Sequence, residues 1–202
     1  MIDGTLPWAG AETPLRADAV RNRARLLEAA AQLATEHGAA AITMESVAAA
    51  AGVGKGTVSR RFGDRNGLLQ ALLDHAEQQF QEAFISGPPP LGPGVEAGAR
   101  LRAFGLALLR HEQAHHDIYL AAEPSPGRRF TVPARQVRHT HVAALVRAAL
   151  PDADANLLAH TLLSSLDVVL VDHLVRRNGM SLPRVEAGWH DLLDRLLVVE
   201  RT

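Results

Sequence analysis

Between residues 87 and 94 the chain reads Gly-Pro-Pro-Pro-Leu-Gly-Pro-Gly. Proline fixes φ and has no amide hydrogen to donate, so no helix continues through four prolines in this space. The chain must therefore fold as two stretches joined at this break, and a domain boundary is expected there. On both sides apolar residues recur at steps of three or four, and no stretch sustains a period of two. That pattern predicts an all-α protein of about nine helices.

The stretch before the break divides readily. Residues 1–17 hold Gly4, Pro7, Gly10 and Pro14 without periodicity and read as an N-terminal arm. A first helix is expected over 18–37, with Val20, Ala24, Leu27, Ala30, Ala31 and Ala34 inward and Gly38 as its stop. Thr43 is a good N-cap for a short helix over 44–51. A third helix is expected over 55–61, stopped by Gly63-Asp64. Asp64 then caps a connecting helix over 65–86, whose buried stripe is Leu68, Leu69, Leu72, Leu73, Ala76, Phe80 and Phe84.

Thr43 to Leu69, TMESVAAAAGVGKGTVSRRFGDRNGLL, is the most informative stretch. Two short helices flank a turn at Ala51-Gly52-Val53, which is the helix-turn-helix layout. Small residues are needed where the helices cross, and Ala48, Ala49 and Ala50 supply them. Overall charge gives no basic signal for nucleic acid, since 21 Lys+Arg face 22 Asp+Glu, so any such argument must be local. Locally the balance differs. Between Val53 and Arg65 stand Lys55, Arg60, Arg61 and Arg65 against Asp64 alone, and Lys55 is the one lysine in the chain. Such a surplus suits phosphate contacts, which supply affinity and set register, while base-edge contacts give specificity. Gly54 and Gly56 open the second helix and let backbone approach a duplex, and Thr57 can reach a thymine methyl or a phosphate.

Residues 20–73 resemble the DNA-binding region of the TetR family of bacterial transcriptional regulators. The resemblance rests on Leu26-Leu27-Glu28-Ala29-Ala30 followed by Gly38, the Thr-initiated helix from Thr43, and Ala51-Gly52-Val53. It extends through Lys55-Gly56-Thr57, Arg60-Arg61-Phe62, Asp64-Arg65 and Leu68-Leu69. It departs at Gly54, where the family usually has Ser, and at Ser59, where it usually has an aromatic ring. The resemblance implies a helix-turn-helix domain over 18–64 that reads double-stranded operator DNA through Thr43, Lys55, Gly56, Thr57, Ser59, Arg60, Arg61 and Arg65. It also implies a helical ligand-binding and dimerisation domain over 87–202, a small-molecule effector, a homodimer and, most simply, a repressor.

In that second domain helices are expected over 95–121 (one or two), 133–149, 152–177 and from Ser181 to about 199. The 152–177 segment is apolar nearly all round and must be covered on more than one side. With the last helix it would form the family's dimer face, using Leu166, Val169, Leu170, His173, Trp189, Leu193 and Leu196. Effector-binding candidates are Phe84, Phe104, Leu108, His111, Tyr119 and Asp167.

Two other function classes have some support. His160, Ser164 and Asp167 fall on one helical face, which invites a hydrolase reading. No nucleophile elbow or Gly-rich strand turn accompanies them, so the face reads instead as a polar wall of a ligand cavity, a hydrogen-bonded dimer contact or a solvent-exposed stripe. His111 and His115 are spaced for a shared metal, but a metal site needs three or four converging ligands, so no metal and no cofactor is expected. A helical adaptor with a basic face is the other alternative, and the spacing of the 43–69 motif argues against both. No enzyme activity is expected. With no cysteine, no basic-then-apolar start and no run of about 18 apolar residues, a cytoplasmic protein without membrane contact is expected.

Overall fold

The computed structural model describes residues 14–121 and 132–198, and among them every regular element is helical. They belong to two compact units, residues 1–72 and 73–202. The division falls inside the connecting helix rather than at the proline-rich segment. Phe80 and Phe84 belong to the core of the second unit, and Leu91 packs against that same core, so the prolines lie within the unit.

The first unit contains α1 (Pro14–His37), a 3₁₀ turn at Ala39–Ala41, α2 (Met44–Ala50), α3 (Lys55–Phe62) and the start of α4 (Arg65–Ile85). α1 begins before the expected Asp18, because proline is tolerated at the first helical position, where its missing N–H has no partner to lose. The remainder of the expected arm, residues 1–13, lies outside the described residues. Leu26, Leu27, Ile42, Val47, Val58 and Leu68 are fully buried. Each contributes roughly 1.5–3 kcal/mol through burial. Val20, expected inward, is exposed.

The α2–α3 crossing depends on its turn. Gly52 has φ 65°, a left-handed conformation that side chains disfavour. The turn closes as Val53 N donates to Ala48 O (2.9 Å). Ala48 alone is buried at the crossing, and the expected contacts of Ala49 and Ala50 are replaced by exposure to solvent. α2 starts with a capping box: Ser46 N donates to Thr43 Oγ1 (3.0 Å), and Thr43 N donates to Ser46 Oγ (2.9 Å). α4 starts with Gly67 N donating to Asp64 Oδ1 (2.8 Å).

The second unit takes in the rest of α4 with α5 (Ala97–Ala114), α6 (His116–Ala121), α7 (Pro133–Ala149), α8 (Ala155–Ser165), α9 (Val168–Asp172) and α10 (Leu182–Val198). Phe80, Phe84 and Phe104 form an aromatic cluster with centroids 5.2–5.6 Å apart. Arg100 Nη2 donates to Phe84 O (2.9 Å), placing a cation at the C-terminal turn of α4, where the helix dipole favours it. α5 and α10 approach so closely at Gly105 that a Cβ there would lie 2.0 Å from the Trp189 ring. Trp189 Nε1 donates to Arg102 O (3.2 Å), which satisfies the buried indole.

The long helix expected over 152–177 is interrupted. Asp167 adopts extended backbone, its Oδ1 accepts from Val169 N (3.0 Å), and the chain restarts as α9 before a π-helical turn over His173–Arg177. An Asp side chain competing for a local amide is the physical cause. The stretch Ala155–Arg177 is long and apolar enough, by composition, to cross a bilayer. Its break and the ion pairs of Asp167 and Asp172 are poorly suited to hydrocarbon. Ala155, Ala159, Leu162, Leu166, Val168 and Val171 instead pack inside the unit.

Candidate nucleic-acid interface and interior cavity

α3 buries only Val58, and the rest of its surface is available. Gly54 is its N-cap without a side-chain hydrogen bond, as a glycine must be. A Cβ at Gly56 would meet nothing within 4 Å, so the backbone there stands bare toward solvent. Thr57 is half-buried, and Arg60 Nη2 reaches its Oγ1 at 3.5 Å. Ser59 is half-buried beside it, and Lys55, Arg60 and Arg61 are exposed. Lys55 pairs with Glu45 of α2, and Arg61 Nη2 donates to Ala19 O of α1. The hydrogen bond from Lys55 holds the exposed Glu45 carboxyl below its usual range. Thr43 lies exposed at the start of α2, with its hydroxyl engaged in the capping box.

Arg65 departs from expectation. Its Nε donates to Ile42 O and its Nη2 to Ala39 O, both at 2.8 Å. The guanidinium thus ties the α1–α2 connection to α4 and is not offered to a phosphate. Phe62 is half-buried, with the Arg23 guanidinium 5.8 Å from its ring centroid. Of the expected contact residues, Thr43, Lys55, Gly56, Thr57, Ser59, Arg60 and Arg61 are therefore at least partly exposed.

In the second unit a cavity of about 450 Å³ opens between α5, α7 and α8. Leu108 and Asp167, two of the six effector candidates, line it, and so do His160 and Ser164. The polar face seen in the sequence is thus a cavity wall. It is not a catalytic relay. Ser164 Oγ donates to His160 O (2.7 Å), the His160 ring packs on His139 with centroids 3.9 Å apart, and Asp167 Oδ2 accepts from Arg135 Nη2 (2.6 Å).

The other four candidates lie elsewhere. Phe84 and Phe104 are core rings, with His141 packed against both at 4.4 and 5.3 Å. Burial, reinforced by the charge of Arg100, pushes the His141 imidazole down to about 4. His111 stacks on Phe80 (4.7 Å), and its Nε2 is hydrogen-bonded to Tyr119 Oη (3.0 Å). His115 is turned to His111 O (2.9 Å), so the two imidazoles do not converge on one point.

Tyr119 leads to a group that sequence reasoning did not single out. Arg138 of α7 is buried and donates to Tyr119 Oη (3.0 Å), to both carboxylate oxygens of Glu77 (Nε–Oε1 3.0 Å, and Nη2–Oε2), and to Glu112 Oε1 (2.6 Å). Burial works to raise the Glu77 carboxyl, but the adjoining His111 ring and the charge and hydrogen bonds of Arg138 overcome it and hold it at about 2. Glu112 moves the other way, raised by burial against the opposing pull of Arg138. A signal was present: Glu77 falls four residues after Leu73 and three before Phe80, on the apolar stripe of its helix. An acid on such a stripe needs a buried partner.

The expected dimer residues divide. Leu166, Trp189 and Leu193 are buried in the core of the second unit and are not available to a partner. Leu196 packs partly against the same core, Val169 is half-buried, and Leu170 and His173 are exposed. Leu157, Leu170 and Leu192 stand out of α8, α9 and α10 at 63%, 41% and 39% exposure.

Comparison with known proteins agrees with the fold and the motif. Residues 26–72 match the model of bacterial regulatory proteins of the tetR family. The chain is 30% identical over 154 residues to the HTH-type transcriptional regulator BetI of Cronobacter sakazakii (strain ATCC BAA-894), covering 72% of this chain and 75% of that protein. It is 39% identical over 80 residues to the HTH-type transcriptional repressor LfrR of Mycolicibacterium smegmatis (strain ATCC 700084 / mc(2)155), covering 40% and 41%. Among solved structures, a TetR-family transcriptional regulator from Rhodococcus sp. superposes with TM-score 0.66 at 19% identity, covering 88% of this chain and 99% of that one. A transcriptional regulator from Saccharomonospora viridis in complex with choline superposes with TM-score 0.64 at 20% identity, covering 87% and 96%. With a helix-turn-helix that leaves its second helix free to read a groove, this chain belongs to the TetR family and is a DNA-binding transcriptional regulator.

Proposed function

We propose that this regulator is a repressor that holds its operator as a homodimer and is released by a small molecule bound in the cavity between α5, α7 and α8. The observation that carries this reading is the pairing of two features on one chain. α3 presents Lys55, Thr57, Arg60 and Arg61 in the first unit, and a cavity of about 450 Å³ opens in the second. Ligand pockets commonly have volumes of this order. α4 contributes to both units, so it is the element through which occupancy would be felt. Release is a population shift: the ligand favours a spacing of the two recognition helices that does not fit successive major grooves, about 34–36 Å apart. The repressor name of the mycobacterial relative and the choline bound to the Saccharomonospora neighbour support the two halves of the reading.

A dimer follows from the two-fold symmetry of operators, and the exposed Leu157, Leu170 and Leu192 supply the apolar face for it. A protein of this kind works where the DNA is, in the cytoplasm of a bacterium. The test is fluorescence anisotropy with the DNA flanking the gene of the regulator itself, comparing wild type with Thr57→Ala and Arg60→Ala. Sequence-selective, salt-sensitive binding that falls about tenfold or more in each variant is expected. Binding indifferent to sequence and to both variants would refute the reading.

A further inference from the structure

The cavity has a chemical bias that its outline alone does not show. Leu108 of α5 and Leu163 of α8 give it apolar walls. Its charged groups are Arg135 and Arg138 against Asp167 and Glu112, and Glu77 lies behind Arg138. Both guanidiniums are engaged: Arg135 by Asp167 at 2.6 Å, and Arg138 by Glu77, Glu112 and Tyr119. Among the described residues, three carboxylates thus face two guanidiniums. Of the two histidines, His139 Nε2 donates to Asn156 O (3.2 Å), and its ring lies against His160.

Glu112 is 4% exposed, its Oε1 accepts from Arg138 Nη1, and its Oε2 has no hydrogen-bond partner among the described residues. A buried carboxylate oxygen without a donor is unfavourable, and a bound molecule that supplies one gains what the free protein lacks.

We propose that the cavity takes a protonated organic amine whose ammonium N–H donates to Glu112 Oε2, with its apolar part against Leu108 and Leu163. This rests on the reading of the cavity as the effector site and adds the chemical class of the ligand and the group that recognises it. Glu112 is then also the point where occupancy is transmitted. Arg138 is held by Glu112 on one side and by Glu77 of α4 on the other, so a ligand that draws on Glu112 changes the hold of Arg138 on α4.

The experiment uses the full-length protein and three probes of matched shape: 2-phenylethylammonium, 2-phenylethanol and 3-phenylpropionate. Binding is followed by calorimetry and by thermal shift in wild type, Glu112→Gln and Ser164→Trp. The expected result is that wild type binds the ammonium about tenfold or more tightly than either match. Glu112→Gln is expected to lose that preference while keeping its far-UV circular dichroism, and Ser164→Trp to lose binding of all three. If Glu112→Gln does not fold, the wild-type ranking decides by itself. A wild type that prefers the alcohol or the carboxylate, in a manner abolished by Ser164→Trp, overturns the amine proposal and leaves the effector cavity standing. Failure of the folded protein to bind any of the three overturns both.

Discussion

The two units solve the problem of charge in opposite ways. In the first, the core is apolar: Leu26, Leu27, Ile42, Val47, Val58 and Leu68 fill it, and among the described residues no arginine or lysine is buried. In the second, Glu77, Glu112, His116 and Arg138 are all buried. A surface that must meet phosphates needs its cations outside and a rigid support beneath them. A unit that must sense a molecule needs polar groups inside, where low dielectric makes each contact count. His116 fits the same pattern, with Nε2 2.6 Å from Asp172 Oδ1 and Nδ1 2.9 Å from Arg176 Nη2 and 3.0 Å from Asp117 Oδ1, so that it ties α6 to α9 and the π-helical turn.

The comparison breaks most readily at Arg138. Arg138→Ala strands two buried carboxylates and is expected to cost about 3–5 kcal/mol in chemical denaturation. A loss below about 1 kcal/mol would mean that the second unit is not organised around this ion. The counterpart in the first unit is Leu27→Ala, which leaves a cavity in an apolar core and is expected to cost about 2–4 kcal/mol. Its effect on DNA affinity should follow from stability alone, so affinity per folded molecule should be unchanged.

Arg60 and Arg65 sharpen the contrast within one motif. Arg65→Ala removes two hydrogen bonds to backbone carbonyls and is expected to lower stability by about 1–3 kcal/mol. Arg60→Ala is expected to change stability by less than about 0.5 kcal/mol while reducing the salt dependence of DNA binding by roughly one phosphate contact. Equal stability losses in the two variants would erase the distinction between a supporting and a reading arginine.

The smallest expected effect is in acid. His141 stays neutral down to about 4 in the folded protein, whereas an unfolded histidine protonates near 6.5. The unfolded state therefore binds protons first, and stability should fall as pH drops from 6.5 to 4. Glu77, held at about 2, adds a further loss below the ordinary carboxylate value of 4.5. His141→Leu should flatten the upper part of this profile by an amount on the order of 1 kcal/mol, allowing for partial exposure. An unaltered profile in thermal melts between pH 7 and pH 4 would show that His141 plays no part.

Much of the first unit was legible because its signals are local. A Thr cap, a glycine at φ 65° and apolar residues at helical spacing each act within a turn or two of chain. The orientation of Arg65 was not legible, since side-chain periodicity does not reveal that the Ala39 and Ile42 carbonyls lie within its reach. In the second unit the helices could be read, but their use could not. A uniformly apolar stretch concealed the break at Asp167, and the buried faces of Trp189 and Leu193 depend on how α10 docks on Gly105. The cavity wall at His160, Ser164 and Asp167 was visible as a polar face, whereas Arg138, Glu77 and Glu112 come together from segments far apart in sequence.

Because one guanidinium serves acids on α4 and α5 and a phenol on α6, these positions cannot vary one at a time. Losing either acid leaves Arg138 partly uncompensated, and losing Arg138 leaves both acids unpaired. Replacing the whole set by well-packed apolar groups is often neutral or even stabilising. Any mutational path away from this arrangement therefore passes through intermediates less stable than either end. The cluster should be kept or lost as a block, and effects measured at Glu77 and Glu112 should fail to add.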